Sequence, residues 1–302
     1  MKKLRLTVYA ALALAAIVAF PASAGVKGKK AVKVEDVFVV TNTNTLGPGS
    51  LGQAIIDANN HKGTDEITFN IPPVTILPFR VGHTAKAAHP ETIQILLEDD
   101  LPTITSPVVI DGRTQAGYPL DTQNPYDGFT FYDPVVQVDG DNDWSCFDDA
   151  AGGSTITGLA IVNCWIGGIQ LRAPNSQVFG NYIGVENDGV TGNGNAGFGV
   201  AVHADGASIH DNIIADNYCP KAASPDFNSS FDCAGVFVGN WIPDLNTAGS
   251  TIRNVHVDHN LIGVQANTET DGNEFYGVAT DSSFIVPVNS RNYVTNNVIG
   301  GS

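Results

Sequence analysis

The side chains in this 302-residue chain best suited to moving protons lie in two short stretches, His210-Asp211 and His256-Val257-Asp258-His259. An imidazole beside a carboxylate suits general acid–base chemistry. The carboxylate orients the ring and leaves its other nitrogen to take or give a proton. His210, Asp211, His256, Asp258 and His259 are therefore candidate catalytic residues, acting on a bound glycan or holding a divalent metal. The bland reading of the same residues is a solvated face with ordinary cross-strand pairs, worth roughly a few tenths of a kcal/mol each.

Asp139-Gly-Asp141-Asn-Asp143 places alternate carboxylates on a glycine-containing turn. Short loops gather oxygen ligands for calcium in this way, so Asp139, Asp141 and Asp143 are candidate Ca2+ ligands, with Asp148 and Asp149 able to add to them. The stretch lacks the full spacing and bidentate Glu of an EF-hand loop, and a hydrophilic bend would read the same. Aromatic rings that could stack on sugars are Phe179, Tyr182 and Trp241, with Trp165 beside them. Arg172, Arg253 and Arg291 share no repeat phase with an acidic group in a neighbouring unit, so no elimination chemistry with an Arg base is assigned. Carboxylate pairs for glycoside hydrolysis can be drawn from Asp205, Asp211, Asp216 and Asp258, but the sequence fixes no separation between them.

What must position these groups is a repeat. One strand type reads apolar-x-x-Asn-x-Ile-Gly, at Val178–Gly184, Ile209–Ala215, Val257–Gly263 and Val294–Gly300, with a degenerate copy at Ile156–Ile161. A second type opens with Gly168-Ile169, Gly199-Val200, Gly235-Val236 and Gly277-Val278. The two alternate, so they belong to one unit. Unit starts at 156, 178, 209, 257 and 294 are 22, 31, 48 and 37 residues apart, and the longer intervals carry loops at one corner: 186–196, 216–232 and 241–249.

A short strand cannot bury its apolar face alone, so such units must stack. Stacking predicts one interior column of Val178, Ile209, Val257 and Val294, and a second of Ile161, Ile183, Ile214, Ile262 and Ile299. Asn181, Asn212, Asn260 and Asn297 form a ladder at a turn. On the outer face His210 then lies over Asp258 and Asp211 over His259. A β-sandwich is the competing fold, but it gives no reason to repeat Asn at one phase of every unit. The expected fold class is all-β: a right-handed parallel β-helix with a short N-terminal capping helix.

The N-terminus reads as an export signal. Lys2, Lys3 and Arg5 precede the apolar run 6–20, and Ala22-Ser23-Ala24 fits a cleavage site. No later stretch offers the ~20 apolar residues of a membrane span. Removing 1–24 takes three basic residues and no acidic ones, so the formal charge moves from −16 to −19. A chain this acidic repels nucleic acid. The division expected is 1–24 signal peptide, 25–34 linker, 35–112 cap and first coils, and 113–302 β-helix repeats, in a secreted, cell-surface or periplasmic protein. Cys146, Cys164, Cys219 and Cys233 allow three pairings; we favour Cys219–Cys233 and Cys146–Cys164. Ser50 and Gln53 form a capping box ahead of the helix LGQAIIDANN.

Residues 40–72 (VTNTNTLGPGSLGQAIIDANNHKGTDEITFNIP) resemble the N-terminal region of bacterial surface proteins with a CSLREA-type domain. VVIDGRTQAGYP and the stretch VFGNYIGVENDGVTGNGN are similar to segments of the same pectate-lyase-like β-helix superfamily. Here Gly52 stands where that pattern has a basic residue and Gln53 where it has an acidic one. The resemblance covers nearly all of residues 37–302. It implies that the 51–60 helix caps the N-terminal end of the stack, which would otherwise expose strand edges and apolar interior. It implies export, and extracellular polysaccharide or cell-surface glycan as the partner. Activity is left open between a lyase or hydrolase and a non-enzymatic adhesin or spacer. The chain ends directly after a repeat signal with no second cap, so a missing C-terminal module or a covering partner chain is expected.

Overall fold

A computed structural model describes residues 33–72, 92–119, 131–220, 233–239, 252–266, 272–273, 276–280 and 291–300. The expected signal peptide lies outside the described residues. The strands are short, from two residues at Leu261–Ile262 to seven at Val34–Val40. They form three sheets of eight, seven and five strands, and every pairing within them is parallel.

The chain visits the three sheets in rotation. Thr155–Thr157 joins the first sheet, Leu159–Val162 the second and Ile169–Leu171 the third; Gln177–Phe179, Tyr182–Ile183 and Phe198–Val202 repeat the circuit. Ser208–His210, Ile213–Ile214 and Ala234–Val238 follow, then His256–Asp258, Leu261–Ile262 and Tyr276–Thr280, and finally Tyr293–Thr295 and Val298–Ile299. This is the stacked, all-parallel arrangement compatible with a parallel β-helix. Loop 186–196 lies between the second- and third-sheet strands of its circuit, as does 216–232. The stretch 241–249, outside the described residues, instead falls between a third-sheet strand and the next first-sheet strand, so the long loops do not share one corner.

The expected columns are present in register. Ile156, Val178, Ile209, Val257 and Val294 are successive partners in the first sheet, and Ile67 and Ile110 extend the column toward the N-terminus. Ile161, Ile183, Ile214, Ile262 and Ile299 do the same in the second. Most of these side chains sit in one buried apolar cluster, and burial of this kind is the dominant stabilising contribution. At the end of the stack the last members surface, with Val294 47% and Ile299 54% exposed.

The asparagine ladder also forms. Asn181, Asn212 and Asn260 each donate their main-chain N–H and Nδ2 to the Oδ1 of the next Asn. Nδ2 further donates to the carbonyl two residues back and to a carbonyl of the preceding circuit. The residue before each ladder Asn is left-handed: Gly180, Asp211, His259 and Asn296, at φ 66°, 54°, 55° and 56°. A second ladder, Asn195–Asn217–Asn273, stands at the corner between the second and third sheets, and the Cys164 N–H donates to its first member.

Helix Leu51–Asn60 packs Leu51, Ala54, Ile55 and Ala58 into the core. The Ser50 hydroxyl accepts from the Gln53 N–H at 3.0 Å. The return bond of a capping box is not made: Gln53 Nε2 donates to Asp57, and the Ser50 N–H to the Gly47 carbonyl. Disulfides join Cys146 to Cys164 and Cys219 to Cys233, with Cα separations of 5.7 and 5.3 Å. They fit an oxidising compartment. No helix among the described residues is long and apolar enough to cross a membrane.

Candidate functional site

The outer face of the first sheet carries two columns of side chains, because alternate residues of each strand point away from the core. One column runs Asp111, Thr157, Phe179, His210, Asp258, Thr295; the other runs Val109, Thr155, Gln177, Ser208, His256, Tyr293. Beside them stand the left-handed corner residues, including Asp211 and His259. The expected register is therefore present: His210 partners Asp258, and His256 lies between Ser208 and Tyr293.

Rings stack along both columns. The His210 imidazole lies flat on Phe179, with centroids 5.0 Å apart and planes 3° apart. The Arg113 guanidinium sits over the Phe179 ring, its Cζ 5.3 Å from the centroid. His256 and Tyr293 form a second stack at 4.9 Å and 27°. Two residues along a strand is about 7 Å and one strand to the next about 4.8 Å, so the two stacks make a stepped platform. Phe179, His210, Asp211, Asp258 and His259 are half-buried, while His256 and Tyr293 are exposed.

The acid–imidazole pairs close along the chain. His210 Nδ1 lies 2.7 Å from Asp211 Oδ2, and His259 Nδ1 lies 2.9 Å from Asp258 Oδ2. The expected partners one strand away face each other in register, yet each histidine bonds its own neighbour in sequence. The cause is the corner: a left-handed residue directly after the strand lets adjacent side chains meet.

Electrostatically the face is mixed and net acidic. Arg113 is spent on Asp111, donating Nε and Nη2 to its two oxygens at 2.8 and 2.7 Å. Burial and the nearby Asp111 push the Glu66 carboxyl above its ordinary range. The Thr157 hydroxyl lies buried in the same column without a hydrogen-bond partner.

The other sequence candidates lie elsewhere. Asp139 is 6% exposed. Its Oδ1 accepts from the Asp141 N–H and Asn163 Nδ2, and its Oδ2 from Gln94 Nε2. Burial, outweighing those bonds, pushes its pKa up. Asp141 and Asp143 remain exposed on the turn. Asp148 is occupied by Arg172 and the Thr103 hydroxyl, and Asp149 by Ser154, Ser176 and two main-chain N–H groups. Among the described residues, no group of three or more His, Cys, Asp or Glu converges where a metal ion could sit.

Tyr182 corrects the stacking expectation. It points out from the second sheet but is 2% exposed, within an apolar cluster that includes Phe131 and Leu261, and Gly189 backs onto its ring. Its hydroxyl donates to Asp133 at 2.8 Å. Trp241 lies outside the described residues, and Trp165 is half-buried at a corner.

Arg113 and Tyr293 are the members of the face that the sequence reading did not select. Tyr293 was readable from its repeat phase, one unit after His256. Arg113 was not, because it lies in a short 3-10 turn, Gly112–Thr114, outside the repeat. No family model matches the chain, and no curated protein matches it.

Proposed function

We propose that this chain is an exported, right-handed parallel β-helix of the pectate-lyase-like kind, and that the outer face of its first sheet binds extracellular polysaccharide. The observation that carries this reading is the pair of ring stacks, Phe179–His210 and His256–Tyr293, which follow each other diagonally across four successive strands of one face. Aromatic faces take the C–H faces of sugars, and the neighbouring His and Asp side chains offer donors and acceptors for hydroxyls. The strand spacing of about 4.8 Å matches the length of one sugar unit to first order, so a linear glycan running across the strands meets a new side chain at each step, from Phe179 to His210 to Asp258 in one column.

The charge of the face favours a neutral glycan over a uronate polymer. Asp111, Asp211, Asp258 and Glu66 outnumber the guanidinium of Arg113, which is already bonded to Asp111. The whole chain is acidic as well, at −16, so a polyanion is repelled at long range.

The test is affinity electrophoresis of residues 25–302 in gels containing neutral or uronate polysaccharides, comparing the native chain with Phe179→Ala and Tyr293→Ala. Retardation by a neutral polymer that both substitutions weaken supports the reading. Equal mobility in every gel sinks it. In that event the spacer reading takes over, favoured by the two asparagine ladders, which stiffen the stack along its length whatever the outer face does.

A further inference from the structure

We infer that His210 is a general base for hydrolysis of acyl esters on the bound glycan, with Asp211 as its positioning residue; this rests on the glycan-binding reading of the same face. The argument starts from hydrogen-bond chemistry. An ionised carboxylate only accepts, so the 2.7 Å contact with Asp211 Oδ2 makes His210 Nδ1 the donor. In the neutral ring the lone pair then sits on Nε2. The plane of the ring is fixed a second time by the flat stack on Phe179, and Phe179 is held from beyond by Arg113. Asp211 is anchored too: its carbonyl accepts from the Gly180 N–H at 2.9 Å, and Asn212, next in the chain, is locked in the ladder. The side chain of His210 is 28% exposed, so the ring is not sealed from solvent. An imidazole whose Nδ1–H is held by a carboxylate, with Nε2 open, is the arrangement of an oriented base.

The neighbouring pair has the same form: His259 Nδ1 contacts Asp258 Oδ2 at 2.9 Å.

The rest of the face selects the reaction. Glycosidic hydrolysis uses two carboxyl groups flanking the bond, and on this face Asp211 and Asp258 are bonded to histidines and Asp111 to Arg113, which leaves Glu66 alone of the four. Proton abstraction beside a uronate carboxylate asks for a cation to neutralise it, and Arg113 is spent on Asp111. Water activation against an acyl carbon starts from a single positioned base and needs neither a second carboxyl group nor a fixed cation. Nε2 takes a proton from water as the water oxygen bonds to the acyl carbon. The C–O bond to the sugar then breaks, and the imidazolium returns its proton to the departing sugar oxygen. One water is consumed; a carboxylic acid and a free hydroxyl are released.

The experiment measures acetate release from an acetylated neutral polysaccharide by residues 25–302, alongside binding of the same polymer in gels. The native chain should release acetate. His210→Gln should lose about 100-fold in kcat, and Asp211→Asn should lower kcat by a larger factor than it raises KM. Diethyl pyrocarbonate on the unaltered protein, with each modified histidine followed by peptide mapping, should abolish acetate release in step with carbethoxylation of His210 rather than of the more exposed His256 and His259. Binding without acetate release, or release unaffected by modification of His210, overturns the general-base assignment and leaves the binding reading standing. Failure to bind any neutral polymer overturns both.

Discussion

Asn212 donates both its main-chain N–H and its side-chain Nδ2 to a single atom, Oδ1 of Asn260, at 3.0 and 2.9 Å. Its own Oδ1 accepts the same two bonds from Asn181, and its Nδ2 also satisfies the carbonyls of Val178 and His210. Asn212→Ala strips partners from the Asn181 donors and from both carbonyls. At roughly 1–3 kcal/mol per buried group left unpaired, it should cost on the order of 3 kcal/mol or more, read as a shift in urea midpoint. Asn212→Asp keeps the acceptor but loses the donors and buries a charge, so it should be no better at pH 7. A loss under about 1 kcal/mol for either variant would show that the ladder is decorative.

His203 makes stability depend on pH. It is 8% exposed, with Nδ1 2.5 Å from the Gly239 carbonyl and Nε2 buried without a partner. Burial, more than any other cause, lowers its pKa; Arg172 adds to the lowering, while the Gly239 bond and Asp148 oppose it. A folded-state pKa below the unfolded value of about 6.5 means that the native state prefers the neutral ring. Its contribution is complete above the unfolded pKa and is lost as pH falls from there through the folded value. Urea midpoints of the native chain should therefore drop between neutral and mildly acidic pH, and His203→Asn should flatten that slope. An unchanged slope would assign the acid sensitivity to other groups.

Phe179→Ala should leave the fold intact, because the ring is half-buried on the outer face and belongs to none of the apolar clusters. It should weaken glycan binding about tenfold, the worth of one lost stacking contact of ~1.4 kcal/mol. Titration of the polymer in gel retardation checks this. Full affinity in the variant would move the binding face elsewhere.

Replacing Cys146 and Cys164 together by alanine should cost about 3 kcal/mol, as expected for reopening a loop of this size. The two cysteines are 18 residues apart and tie successive circuits together where the chain leaves the second sheet. A fall in melting temperature on reduction of the native chain, smaller in the double variant, which keeps Cys219–Cys233, is the control. No change in either would mean that stacking alone holds that corner.

Much of this arrangement could be read directly from residue phase. The Ile and Val columns and the Asn181–Asn297 ladder repeat at fixed offsets, and stacking converts a fixed offset into a fixed position. The second ladder was harder to see. Asn195 and Asn273 precede Gly199 and Gly277 by four residues, but Asn217 is separated from Gly235 by a long insertion that hides the phase. The His–Asp contacts were right in register and different in direction, because the left-handed corner at Asp211 and His259 is a backbone property that residue type does not announce. Tyr182 illustrates the remaining limit: repeat phase placed it on an outward position, and only the loop packed over it makes that position an interior one. Asp139 likewise looked free in sequence, while its donors Gln94 and Asn163 come from positions 45 and 24 residues away.

The corner residues have one more implication. Gly180, Asp211, His259 and Asn296 occupy the same left-handed position in consecutive circuits, yet they share no chemistry. The ladder asparagine after each of them and the apolar column before it do the folding. The corner therefore works as an interchangeable socket, where an acid, a base or nothing at all can be installed without disturbing the stack. Chemistry on this scaffold can thus change one circuit at a time, and variation among relatives of this chain should concentrate at that socket while the asparagine next to it stays fixed.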